Sequence, residues 1–397
     1  MYAILYIVAL IVTLIVFSVT RLRSKSKVVI IALIFGLFAL MMTPRDGSSL
    51  DIVRYYNDLD LIRLFRENSN LSNTISYINN MGSNSIMGVD MGSTYGSVPM
   101  MVAIMYLCSF LANHWLLFMV GFVDILCSLT LINIVANQHG SKKPLLIGSF
   151  LFLSLFIFIA AISGIRTNLV GTIFSVVYYH LSDKLNGKRM LIFLVVSIVI
   201  TLIHPFAMML VGIALLVRLF QRSKYSTLVI GTVMLGFSIF QSYILSFISK
   251  LSFIPFFASI SYKGTQYMGD TATIVAGSKM QIYRSLLRLV VFISIFVVSK
   301  YAVKDSKVPK EYRKLVGIFI CFTIGSFTSQ VIFSRSVTIL LLLMIPYLSE
   351  LAYWTVKNRY SYKLGTAILL ILIFGFASVS LVDNLRAGVT YCYMSFL

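Results

Sequence analysis

A small set of polar side chains stands out from an otherwise apolar chain: Asp51, Arg54, Arg166, His204, Arg284, Arg288 and Arg335. Arginine offers a planar fork of donors that grips phosphate oxygens in pairs and stays charged at any relevant pH. A histidine or a carboxylate can take a proton from an attacking hydroxyl. Several fixed cations beside one base therefore suit an anionic, phosphate-bearing lipid substrate. The arginines would neutralise charge as it develops on a leaving phosphate, and His204 or Asp51 would act as base.

The local sequence indicates how each group is held. Pro205 disfavours helix at the residue before it, so His204 should mark a helix end and sit at a rim. Arg166 follows Ser163-Gly164, read as a tight turn, and Arg335 lies between Ser334 and Ser336 at the start of an apolar run. Arg284 and Arg288 are one helical turn apart. Asp51 and Arg54 have the spacing of helix neighbours, with Asp58 a further turn along. Each residue also has a plainer account. His204 could be satisfied by a backbone carbonyl, the arginines could anchor at the lipid interface, and Asp51 could simply pair with Arg54. The acids Asp124 and Glu350, inside apolar runs, are expected to lock helices together rather than do chemistry. No metal or other cofactor is required, because arginine can do the neutralising. Cys108, Cys127, Cys321 and Cys392 lack the spacing of a zinc site or disulfide framework.

The elements that must position these groups are membrane helices. Hydrophobic residues form 59% of the chain and charged residues 12%, where a soluble domain would carry about 25% charged residues. The apolar runs are continuous rather than alternating, which excludes a β-barrel. The fold class expected is an all-α polytopic integral membrane protein, residues 1–397 forming a single membrane domain. The net charge of +20 sits in short clusters between apolar runs. That is the positive-inside pattern, so the partner is a lipid bilayer and not nucleic acid.

About twelve spans are expected: 1–20, 28–43, 116–136, 145–165, 168–180, 190–203, 206–219, 226–248, 283–300, 315–332, 337–356 and 364–382. Residues 98–112 are too short to count and read as re-entrant or interfacial. With that parity both termini are outside and most of the 33 Lys and Arg fall in inner loops. The outer loop 44–97 should carry an amphipathic helix, because Ile52, Tyr55, Tyr56, Leu59 and Ile62 recur at helical spacing. Ser48-Ser49-Leu50-Asp51 is read as its weak capping box. A second outer loop, 249–282, contains Lys263 and Asp270.

The motifs Asp51-Ile52-Val53-Arg54-Tyr55-Tyr56, Gly164-Ile165-Arg166-Thr167-Asn168, Ile203-His204-Pro205-Phe206-Ala207 and the run from Arg335 to Ile345-Pro346 follow a recognisable order. In that order the chain resembles the EpsG/Wzy-type family of exopolysaccharide and capsule repeat-unit polymerases. It departs from the family pattern at Thr167, where a Gln is usual, and at Phe206, where a Ser is usual. The resemblance implies a membrane glycosyltransferase that joins polyprenyl-diphosphate-linked oligosaccharide units on the outer face of the cytoplasmic membrane. It implies a flippase and a chain-length regulator as working partners. The diphosphate would be held by Arg166, Arg335, Arg284, Arg288 and Arg54. The alternative is a flippase for the same lipid-linked sugars, in which the cations would line a translocation path.

Overall fold

A computed structural model describes residues 1–19, 21–45, 50–81, 84–86, 89–91, 95, 98–140, 143–182, 187–220, 223, 225–251, 261, 279–302, 306–357 and 364–394. The fold is all-α apart from two small two-stranded sheets among these residues. Lys263, Asp270, Ser48 and Ser49 lie outside the described residues.

The chain begins with an antiparallel pair, α1 (Tyr2–Ser18) and α2 (Ser24–Leu40). α2 lies along α6 (His114–Gln138) through small residues. A side chain on Gly121 would come within 3.0 Å of the Ala39 methyl and 3.1 Å of the Phe158 ring. Close approach through small residues is how apolar helices pack when lipid competes equally for their surfaces. Next come α7 (Lys143–Leu155), the short α8 (Phe158–Ser163), and the antiparallel pair α9 (Ile165–Ser182) and α10 (Gly187–Ile203). α11 (Ala207–Leu219), α12 (Ser226–Leu235), α13 (Phe237–Lys250), α14 (Lys279–Ala302), α15 (Lys310–Gly325), α16 (Gln330–Leu343), α17 (Ile345–Lys357) and α18 (Leu364–Tyr391) complete the bundle.

Among the described residues three helices are long and apolar enough to cross a membrane: α6, Ile282–Lys300 of α14 and Leu370–Tyr391 of α18. Two bent pairs, α12 with α13 at 78° and α16 with α17 at 49°, would raise the number to five if each is one span. These apolar helices make the protein membrane-associated. The segment read as re-entrant or interfacial contains only a ten-residue helix, α5 (Pro99–Cys108). At 1.5 Å per residue that is about 15 Å, half of a hydrocarbon core of about 30 Å.

One end of the bundle carries α3 (Asp51–Glu67) and α4 (Leu71–Asn80). On α3 the residues Ile52, Tyr55, Leu59 and Ile62 are buried, as the helical spacing predicts, while Tyr56 is only half-buried. Ile52 joins the main core, while Tyr55, Leu59 and Ile62 join a separate cluster that also contains Ile78, Met105, Val120, Ile165 and Leu169. Polar bonds fix the far half of α3, since Arg63 bonds Asp60 at 2.8 Å, the Leu111 carbonyl at 2.8 Å and Asn113 at 2.9 Å. Strand β1 (Met42–Pro44), just before α3, pairs antiparallel with β4 (Cys392–Met394) at the other extreme of the chain. Between α4 and α5, β2 (Asn84–Ile86) and β3 (Val89–Met91) form a hairpin.

The opposite end is closed by Glu350 on α17, fully buried. One of its oxygens accepts the Lys307 N–H and faces the Ser306 hydroxyl at 3.4 Å; the other lies 3.1 Å from His139 Nε2. The His139 ring stacks on Tyr353 at 3.9 Å. Glu350 thus ties α17 to the end of α6 and to the segment leading into α15. Asp124 does the same between α6 and α9, accepting from the Thr172 hydroxyl at 3.1 Å. Both acids are used as helix locks, as expected from the sequence.

Candidate functional site

The turn before Arg166 organises the α3 end. α8 stops at Ser163, and Gly164 breaks the helix before α9 starts. A side chain on Gly164 would press within 3.1 Å of Asn168 Nδ2 and 3.2 Å of the Ala160 carbonyl. Asn168 donates to the carbonyls of Ala161 at 3.2 Å and Gly164 at 3.1 Å, satisfying acceptors that a helix end leaves open. Ser163 Oγ in turn accepts the N–H of Asp51 at 3.1 Å. The first amide of α3 is therefore capped from a distant turn. Ile165 and Leu169, on either side of Arg166, pack with Tyr55 and Leu59 of α3. That packing seats the half-buried Arg166 beside α3, close enough to Asp58 for its charge to favour the carboxylate.

A compact charged cluster results. Arg54 pairs with Asp51 at 3.5 Å, both side chains about half exposed. Tyr95 donates its hydroxyl to Asp58 Oδ2 at 2.6 Å. Burial pushes the Asp58 carboxyl up from its ordinary range, and the Tyr95 hydrogen bond and the charges of Arg54 and Arg166 only partly oppose it. Tyr95 is pushed up as well, first by burial and then by the Asp58 charge, so it stays a hydrogen-bond donor. Burial works against the Arg54 cation, but Asp51, Tyr55, Tyr95 and Asp58 outweigh it and raise its pKa. Asp58 is thus a carboxylate raised by burial within reach of the charges of two guanidinium groups, and a raised acid is a more effective proton acceptor.

A second set of cations flanks the first. α16 runs parallel to α9. Gly171 leaves room for Leu342 and Ile339, and Asn168 shares a cavity of about 40 Å³ with Thr338, Leu341, Phe292 and Arg288. Arg335, one turn before Thr338, is therefore level with the start of α9, where Arg166 sits. Arg284 pairs with Asp383 of α18 at 3.7 Å, and the same carboxylate faces Arg288.

His204 follows α10, which runs antiparallel to α9; Phe193 packs on Phe174 and Tyr178 with ring centroids 6.4 and 5.7 Å apart. This register returns His204 to the Arg166 end. Its Nδ1 accepts the Phe206 N–H at 3.0 Å. A neutral ring in that position carries its proton on Nε2 and presents a donor, so it has no lone pair ready to take a proton.

The structure brings Asp51, Arg54 and Arg166 into one cluster. Arg284, Arg288 and Arg335 lie around the neighbouring α14–α16 face, and His204 is at the same end on α10. Sequence reasoning treated Asp58 only as a partner for Arg54 and missed Tyr95, Asp383 and His114. His114 begins α6, with Nδ1 3.1 Å from the Tyr56 hydroxyl and 3.2 Å from the Met42 carbonyl, so it helps hold α3 to β1. A signal existed for Asp383, an acid one residue past a predicted span. Tyr95 had none beyond its place in a polar loop. Comparison with protein families, with characterised proteins and with solved structures finds no match for this chain.

Proposed function

We propose that the protein is a membrane glycosyltransferase that polymerises polyprenyl-diphosphate-linked oligosaccharide units into exopolysaccharide or capsule, working at the outer face of the cytoplasmic membrane. The observation that carries this reading is the gathering of Arg54 and Arg166 near Asp58, a carboxylate raised by burial and hydrogen-bonded by Tyr95 at 2.6 Å. A hydroxyl of the incoming unit attacks the anomeric carbon of the growing chain. Its proton passes to Asp58. The bond from that carbon to the diphosphate oxygen breaks, and the polyprenyl diphosphate leaves with the electron pair. Arg166 and Arg54 stabilise the charge that develops on it, with Arg335, Arg288 and Arg284 completing the clamp. His204 donates from Nε2 to a phosphate or sugar oxygen, and Asp51 orients Arg54.

In this reading the chain crosses the bilayer twelve times. The crossings are α1, α2, α6, α7 with α8, α9, α10, α11, α12 with α13, α14, α15, α16 with α17, and α18. α5 remains in the outer half and the α3 end faces outward. The lysines and arginines after α1, before α10 and before α15 then lie inside, as the positive-inside pattern requires. The resemblance of the four sequence motifs to the EpsG/Wzy-type polymerases supports the chemistry. The two acids a translocation path would need at depth, Asp124 and Glu350, are occupied in tying helices together.

The test is where lipid-linked units accumulate in cells carrying Asp58→Asn. A polymerase without its base leaves single units labelled from outside and little long polymer, because export is another protein's task. Units found only in the inner leaflet would show that the lesion blocks translocation, and the polymerase reading would fall. A reporter active only outside the cell, inserted between Asn68 and Leu71, should work, and one at Gly140 should not.

A further inference from the structure

A different part of the molecule carries a binding site of its own. At the Glu350 end, α12, α14 and α15 enclose a cavity of about 660 Å³, within the range of ligand-binding pockets. Its walls are apolar, including Leu228, Leu235, Phe296 and Cys321, and its mouth is formed by Lys300, Lys310, Arg313 and Lys314. No Asp or Glu occurs among the described residues that line it.

The helices dictate this shape. α12 runs parallel to α15. A side chain on Gly231 would come within 3.4 Å of Cys321 Sγ, and at Gly325 the two helices are so close that a side chain there would strike the Met234 carbonyl. The groove is thus shut at its deep end. Toward the other end α15 extends beyond the first residue of α12, and the exposed turns carry the cations. From Lys314 to Gly325 the groove runs roughly 16 Å along α15. Lys300 ends the membrane-length part of α14, which sets the cationic mouth at the membrane boundary.

Charge argues for the occupant. Lys310, Arg313 and Lys314 lie in the first turns of α15, where the helix dipole is itself positive and cations are disfavoured. The one acid in that first turn, Glu311, is engaged by Arg218 of α11 at 2.9 Å. A phosphate at the mouth would meet four cations drawn from two helices, and an acyl chain would lie along the apolar walls. Basic pockets of this kind between membrane helices suit phosphate-headed lipids.

We propose that this groove binds an anionic glycerophospholipid of the leaflet at the Glu350 end, its phosphate among Lys300, Lys310, Arg313 and Lys314 and one acyl chain between α12, α14 and α15. The site is separate from the cluster around Arg166 and does not depend on what that cluster does.

The experiment is native mass spectrometry of the full-length protein in detergent, titrated with an equal mixture of phosphatidylglycerol and phosphatidylcholine of the same chain length. The protein should retain phosphatidylglycerol preferentially. The double substitution Arg313→Gln with Lys314→Gln should lower that retention about tenfold or more. Leu228→Glu, an exposed wall position whose change leaves the core intact, should also lower it. Equal retention of the two lipids would overturn the proposal. So would displacement by millimolar inorganic phosphate, which would mark a soluble-anion site. Selective retention of a polyprenyl phosphate over phosphatidylglycerol would overturn it in favour of a second site for substrate.

Discussion

The two ends of the bundle use the same kinds of residue to opposite effect. At one end Glu350, His139 and Tyr353 form a buried lock in which the carboxylate meets a backbone N–H, a hydroxyl and an imidazole from neighbouring segments. At the other, Asp58 and Tyr95 meet Arg54 and Arg166 with part of the cluster still open to solvent. A buried carboxylate engaged by groups of its own protein holds helices together. One that is raised by burial, yet reachable and flanked by cations, can exchange a proton with something else.

The largest effect should come from breaking the closed end. Glu350→Ala leaves the Lys307 N–H and His139 without their acid in a dry interior. Removing one partner of a buried pair typically costs about 3–5 kcal/mol. Thermal unfolding in detergent should show a large loss, or little folded protein at all. A melting temperature close to wild type would mean that the lock is not structural. At the open end, Asp58→Asn should leave folding intact and lower the rate of polymer formation by about 10²–10⁴-fold. Because burial raises the Asp58 pKa, wild-type activity should climb with pH through a value above the usual carboxylate range, and the variant should lack that limb. A variant with the same pH profile as wild type would rule Asp58 out as base.

Arg166→Lys keeps the charge but loses the fork, so most polymer should be lost while the melting temperature stays put. Full polymer length on a gel with Lys, but none with Ala, would mean that charge alone matters there. Asp51→Asn breaks a half-exposed pair worth about 0–1 kcal/mol, and its melting temperature should hardly move. The smallest effect is the linkage of stability to pH. Asp58 binds its proton more tightly folded than unfolded. Its contribution to folding is full below the unfolded carboxylate pKa and fades as pH rises through the folded one. A shallow fall in melting temperature over that window in wild type should be absent in Asp58→Asn.

Much of this arrangement is legible in the sequence, for local reasons. The helical spacing of Ile52, Tyr55, Leu59 and Ile62 is a property of one segment and defines α3 and its buried face. The shortness of 98–112 likewise announces a helix of only ten residues, α5. What escapes sequence reading depends on the return of distant chain. The expected cap of α3 from Ser48 and Ser49 falls outside the described residues, and its first N–H is met by Ser163, 112 positions away. Tyr95 reaches Asp58 across 37 positions, and Asp383 reaches Arg284 from a different helix. Proline after His204 correctly marks the helix end, but which ring nitrogen is occupied is decided by the backbone two residues later.

The strand pair between Met42–Pro44 and Cys392–Met394 bears on how the protein is made. The Arg45 N–H donates to the Tyr391 carbonyl and its guanidinium lies over the Tyr393 ring, so the chain leading into α3 is fastened to residues made about 350 positions later. During synthesis α1 through α17 can be made while this fastening is still missing. The platform holding Asp51, Arg54 and Asp58 near Arg166 then gains its second anchor only when α18 and β4 have been made. A nascent chain halted before α18 would hold every one of those four residues without the tether, so maturation of the site waits for α18 and the strand that follows it.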